Sequence, residues 1–168
     1  MWKTITSCPL YLKCFNPEII FSGSSNKSDI KIIKPLFFIA SAVFQTPAGF
    51  LVDRFGARPV LIFGLGLLSS AVACYSLVPN YQFFLVLTFL AGAGNSVFHP
   101  ADYSLMNNLV SPKLMGRAFS FHTNGGHLGF ALGPAVMAIL AANLGWRDAT
   151  GIVGVIGLIL TFALIIGG

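Results

Sequence analysis

Asn95, His99 and Asp102 follow one another at spacings of four and three in the stretch GNSVFHPADYSL, residues 94–105. On a helix, those spacings project all three side chains from one face. A carboxylate and an imidazole placed in this way can exchange a proton or hold a polar solute. The setting is apolar: no Asp, Glu, Lys or Arg occurs from Pro59 to Ala101. A second polar group follows in His122, Thr123, Asn124 and His127. His99 and Asp102 together with His122 or His127 of the next helix would make a proton relay or a polar substrate pocket. The plainer alternative is a buried polar cluster that only joins helices, each interhelical hydrogen bond contributing about 0.6 kcal/mol.

Two further features bear on that stretch. An aspartate at the centre of a membrane span costs about 2.5–3.5 kcal/mol on insertion scales, so Asp102 is predicted to face protein or water rather than lipid. Pro100 has no backbone donor and frees the carbonyl of Ser96, which predicts a kink with a carbonyl open to a cavity.

The elements that position these residues follow from composition. The chain has 168 residues, of which 55% are hydrophobic and only 9% charged. Soluble domains carry about 25% charged residues, so this composition implies an all-α integral membrane protein whose first partner is the lipid bilayer. The net charge of +5 does not point to nucleic acid, because sparse Lys and Arg at the ends of apolar runs mark topology. Cys8, Cys14 and Cys74 fit no zinc or disulfide framework, and neither a metal nor another cofactor is expected. An intramembrane enzyme is a weaker alternative, since His-Glu-x-x-His is absent and no residue is singled out as catalytic.

Five apolar runs are long enough to cross the bilayer: residues 35–52, 59–78, 82–108, 118–143 and 149–166. They are apolar all round, unlike amphipathic surface helices, and lack the alternation of strands. Residues 1–34 read as a polar, flexible tail, without the apolar core of a signal peptide. Arg54 and Arg58 in the first loop, with Lys113 and Arg117 in the third, face only Arg147 on the other side, which places these two basic loops in the cytoplasm. The lysine-rich tail would then lie outside, against the same rule. Gly125, Gly129 and Gly133, followed by Pro134, recur every four residues and predict one face of close helix packing.

The stretch GFLVDRFGARPVL, residues 49–61, resembles the signature loop of the major facilitator superfamily, with Gly49, Leu51, Asp53, Arg54, Gly56 and Arg58 in place and Ala57 where a basic residue is usual. That loop joins the family's second and third helices. The resemblance therefore implies that the five runs are helices two to six of an incomplete six-helix half-bundle, covering residues 35–168. GFALGP, residues 129–134, resembles part of the exporters' Gly-Pro motif. NSVFHPADYSL and GRAFSFHTNGG resemble fosmidomycin-resistance-type and related bacterial members. The resemblance implies a bacterial inner-membrane transporter, or a truncated piece of one, that moves an unknown small solute by alternating access, with proton coupling and efflux as further expectations. It implies that Gly49, Asp53, Arg54, Gly56 and Arg58 form a gating loop, and that a C-terminal half or another copy of the chain is the partner. A non-transporting membrane subunit is the alternative. Proton-coupled exporters of the family often carry an arginine where this chain has Thr88, four residues before Gly92.

Overall fold

The computed structural model describes residues 27–167, without the side chains of residues 27–31 and Phe130. The described chain is helical: α1 (Lys27–Phe55), α2 (Ala57–Cys74), α3 (Tyr81–Asn95), α4 (Phe98–Leu109), α5 (Met115–Leu144) and α6 (Trp146–Ile166). A short 3₁₀ turn, Tyr75–Leu77, extends α2. Five segments are long and apolar enough to cross a membrane, α3 and α4 together making the third. Helices answer the demand that a lipid environment places on every backbone donor and acceptor. Large side chains such as Phe38, Phe50, Phe121 and Ile159 point outward, as a lipid-facing surface requires.

The expected boundaries shift in two places. Helix α1 starts at Lys27 and runs through Pro35 and Pro47, so residues 27–34 of the segment read as a tail are helical. A proline removes one ladder bond but does not forbid the helix on either side. Residues 1–26 of that segment lie outside the described residues. The third span, expected as one helix over 82–108, is broken at Ser96 and Val97. The break includes the residue whose carbonyl Pro100 leaves without its usual donor.

In space the helices follow the order α1, α3, α2, α6, α5, with α4 returning to touch α5 near their shared loop. Two glycines let α3 wedge between its neighbours. They are two residues apart, roughly 200° around the helix, and so meet different partners. A Cβ on Gly92 would lie 2.8 Å from Cβ of Ala40 on α1, and one on Gly94 would lie 2.8 Å from the backbone nitrogen of Leu68 on α2. At the α2–α6 crossing, a Cβ on Gly154 would run into the backbone of Ala73.

Two apolar clusters hold these crossings. One gathers Ile33, Phe37, Leu68, Tyr75, Phe84 and Ala91, with the rings of Tyr75 and Phe84 4.3 Å apart. The other gathers Ala48, Val52, Ala57, Val60, Val97 and Ala101 near the α1–α2 turn.

Two turns share one geometry. Gly56 joins α1 to α2 at φ 88°, and Gly145 joins α5 to α6 at φ 87°. Residues with a Cβ rarely adopt this backbone, which explains glycine at both sites. Two residues after each glycine stands an arginine. Arg58 donates to the carbonyl of Leu164 near the end of α6, and Arg147 donates to the carbonyl of Val78 just past α2, each at 3.2 Å. Helices α2 and α6 are thereby clasped at both ends, each cation meeting carbonyls where a helix dipole favours positive charge.

Candidate solute and proton site

The α4–α5 hairpin sets the geometry of the polar residues. Asp102 is seven residues before the last residue of α4, and His122 is seven after the first residue of α5. Two helices joined by a short loop run back along each other, so positions equidistant from the loop come level. Both lie about 10 Å along their helices from that loop. Nε2 of His122 is 3.6 Å from Oδ2 of Asp102. That separation is slightly longer than a hydrogen bond and within reach of one after a small rotation. Asp102 is 23% exposed and His122 50%, so the pair opens to one side of the bundle.

An aromatic wall flanks the pair. The rings of His99 and Tyr103 stack with centroids 6.2 Å apart, and Tyr103 lies 5.5 Å from Phe119 of α5. Tyr103 and Phe119 were missed at the sequence level. The spacing of four between His99 and Tyr103 was a readable signal, while nothing local marks Phe119.

The structure places the remaining residues elsewhere. Asn95 precedes the break and turns to α1, its Nδ2 donating to Oγ of Ser41 at 3.0 Å. Its Oδ1 is buried and makes no hydrogen bond among the described residues. Asn95 therefore belongs to the α1–α3 contact, while Asp102 belongs to the α4–α5 contact. His127 is exposed on α5, and its Nδ1 lies 2.8 Å from the carbonyl of Thr123 on the same helix. Thr88 is 1% exposed; its hydroxyl donates to Phe84 and accepts from Tyr75, in the α2–α3 packing rather than at the polar pair.

In the α1–α2 loop, where gating was expected, Asp53 and Arg54 are exposed, and the Arg54 guanidinium stands 5.6 Å from the centre of the Phe55 ring. Arg58 is engaged with α6, as described above. Among the described residues, no other side chain or helix lies within 4 Å of where a Cβ on Gly49 or Gly125 would point. Gly129 is buried and Gly133 and Pro134 are half-buried, in line with buried Met137 on the side of α5 that packs. No cluster of three or more His, Cys, Asp or Glu side chains able to hold a metal occurs among the described residues.

Comparison with known proteins identifies the family. A family model described as Major Facilitator Superfamily matches residues 15–167, starting well before Pro35, where the sequence-level resemblance began. The multidrug resistance protein MdtG of Proteus mirabilis is 38% identical over 65% of this chain and 27% of its own length. The fosmidomycin resistance protein of Escherichia coli is 30% identical over 69% of this chain and 28% of its own. The membrane sensor protein UhpC of Escherichia coli is 29% identical over 90% of this chain and 36% of its own. The chain thus spans roughly a third or less of the length of these relatives. With its helical spans, its signature loop and this match, the chain is an integral membrane protein that belongs to the Major Facilitator Superfamily.

Proposed function

We propose that this chain forms part of the N-terminal half of a transporter that moves a small solute across the bacterial inner membrane by alternating access. The Asp102–His122 approach across the α4–α5 hairpin carries this reading. A carboxylate and an imidazole facing each other within a span are costly unless they serve a pathway or a partner. Together they can hold and release one proton, and the aromatic wall of Tyr103 and Phe119 offers apolar contact beside them. His99 stacks within that wall, and His127 stands about one turn beyond His122 along α5. Asp53, Arg54 and Arg58 serve as the cytoplasmic latch, with Gly49 and Gly56 shaping the loop. Residues 35–168 act as the membrane bundle. The names of the two resistance proteins support export as the direction.

The test is a complete transporter carrying this segment, with Asp102→Asn. Transport should fall while membrane abundance holds. Unchanged transport across a range of pH would leave the pair with a packing role only. The breadth of the match to a membrane sensor protein favours a second reading, a non-transporting sensory subunit. Solute binding that persists while flux is absent in both wild type and variant would select it.

A further inference from the structure

Asp102 is the only Asp, Glu, Lys or Arg between Arg58 and Lys113, and these residue types are absent again from Ala118 to Trp146. The spans around the polar pair thus carry one formal charge, and it is negative. Among the described residues, His122 is the only basic side chain within 4 Å of that carboxylate. An imidazole offsets the charge only while it holds a proton, and at 3.6 Å the contact falls short of a hydrogen bond. The nearer cations are turned elsewhere. Arg58 meets the Leu164 carbonyl, and Arg54 stands over the Phe55 ring. Arg117 is five residues before His122 on α5, about 140° around the helix, so it projects from another side.

The chemistry beside Asp102 narrows the solute. An anion would meet a carboxylate with no Lys or Arg there to offset it. A neutral polyol needs several hydrogen-bonding groups that converge on it, and the candidates are engaged away from the pair. Asn95 donates to Ser41, Thr88 bonds Tyr75 and Phe84, and His127 lies against the Thr123 carbonyl of its own helix. What remains beside the pair is aromatic. Phe119 is three residues before His122 and shares its side of α5. Tyr103 meets Phe119 across the same hairpin that brings Asp102 to His122, and Tyr103 is exposed to an incoming ligand. Aromatic faces attract a cation through their quadrupole, and a carboxylate attracts it through its charge. Within a span, both act with less screening than at a water-exposed surface.

We propose that this site recognises a hydrophobic organic cation, with its charge at Asp102 and its apolar body against Tyr103 and Phe119. This class of solute rests on the reading of the Asp102–His122 pair as a solute site. Tetraphenylphosphonium and tetraphenylborate, two ions of one shape and opposite charge, are the probes. The full chain, purified in a mild detergent, is dialysed to equilibrium against each. Binding is read as the difference between wild type and Asp102→Asn, which cancels uptake by the detergent. Tetraphenylphosphonium should bind saturably, and Asp102→Asn should weaken it about tenfold, with recovery in Asp102→Glu. Tyr103→Ala should weaken it about threefold, and Tyr103→Phe should leave it unchanged. Tetraphenylborate should show no binding that depends on Asp102. Should Asp102→Asn fail to fold, the two Tyr103 variants and the contrast between the ions in wild type decide the matter. Equal binding of both ions, stronger binding of the borate, or phosphonium binding unchanged by Asp102→Asn and Tyr103→Ala would each overturn the cationic class. If transport by the complete protein still fell with Asp102→Asn, the pathway reading would survive that loss; normal transport would remove both.

Discussion

Replacing Gly94 by alanine puts a methyl group where the backbones of α3 and α2 already meet. The added Cβ would lie 2.8 Å from the Leu68 nitrogen, 2.9 Å from the Gly64 carbonyl oxygen and 3.3 Å from the Leu68 Cα. Ordinary contact begins near 3.4 Å, so the helices must part by about 0.6 Å at this crossing. None of these atoms can rotate away, because all belong to backbone. Overpacking of this kind costs about 1–3 kcal/mol, and the absence of a yielding side chain puts Gly94→Ala in the upper half of that range. Gly125→Ala is the matched control, since its Cβ would meet nothing within 4 Å. Each change gains about 1 kcal/mol of helix propensity, which cancels in the comparison. The two variants should therefore differ by about 2–3 kcal/mol, or roughly 4–12 °C in unfolding midpoint for a chain of this size. Thermal unfolding in one detergent, followed by circular dichroism and by monodispersity after heating, measures that difference. Equal midpoints, or a more stable Gly94→Ala, would refute the packing argument.

Asp102→Asn, in a complete transporter, should lower the transport rate about tenfold, a loss of ~1.4 kcal/mol, with membrane abundance held within a factor of two. Tyr103→Phe should be nearly silent in the same assay and Tyr103→Ala should not, since Tyr103 meets His99 and Phe119 through ring contacts that phenylalanine keeps. Single cysteines in the loops at residues 53–59 and 110–114, on a background without Cys8, Cys14 and Cys74, should resist an impermeant thiol reagent in intact cells; labelling of both would reverse the orientation. Arg147→Ala should lower the unfolding midpoint by a few degrees at most, because its bond to the Val78 carbonyl is exposed. The chain should stay with the membrane through high-salt and alkaline washing, and recovery as a soluble monomer without detergent would contradict its five spans.

The spans were legible because lipid leaves a chain so few options: long apolar runs must be helices, and charged turns must separate them. The Gly56 turn could be read from DRFGARP for the same reason. The site was legible in part. Polar residues in the third and fourth spans stood out against their surroundings, but periodicity along one helix cannot say which neighbour each face meets. Asn95 and Asp102 share a helical spacing, yet the break at Ser96 and Val97 separates their partners. The glycines make the same point. The regular series through Gly125 caught the eye, while the close backbone contacts fall at Gly92, Gly94 and Gly154, whose importance depends on tertiary placement. Tyr103 and Phe119 come together only because the hairpin loop sets their register.

The two-ended clasp between α2 and α6 gives the fold a timetable. A ribosome delivers α2 long before α6, and until then the Arg58 guanidinium has no Leu164 carbonyl to meet. The stretch around Val78 waits in the same way for Arg147. Both fastenings and the Gly154–Ala73 crossing between them become available only when the last span enters the bilayer. Helix α2 must hold its place in the early bundle through α3, by the Gly64–Gly94 contact and the Tyr75–Phe84 stack, and through the cluster that Val60 shares with α1 and α4. Arrival of α6 then fixes both ends of α2, at opposite faces of the membrane, in one step. A ribosome stalled before α6 would leave a nascent chain whose α2 lacks the flank that α6 covers, and that intermediate is the one a membrane quality-control protease would meet.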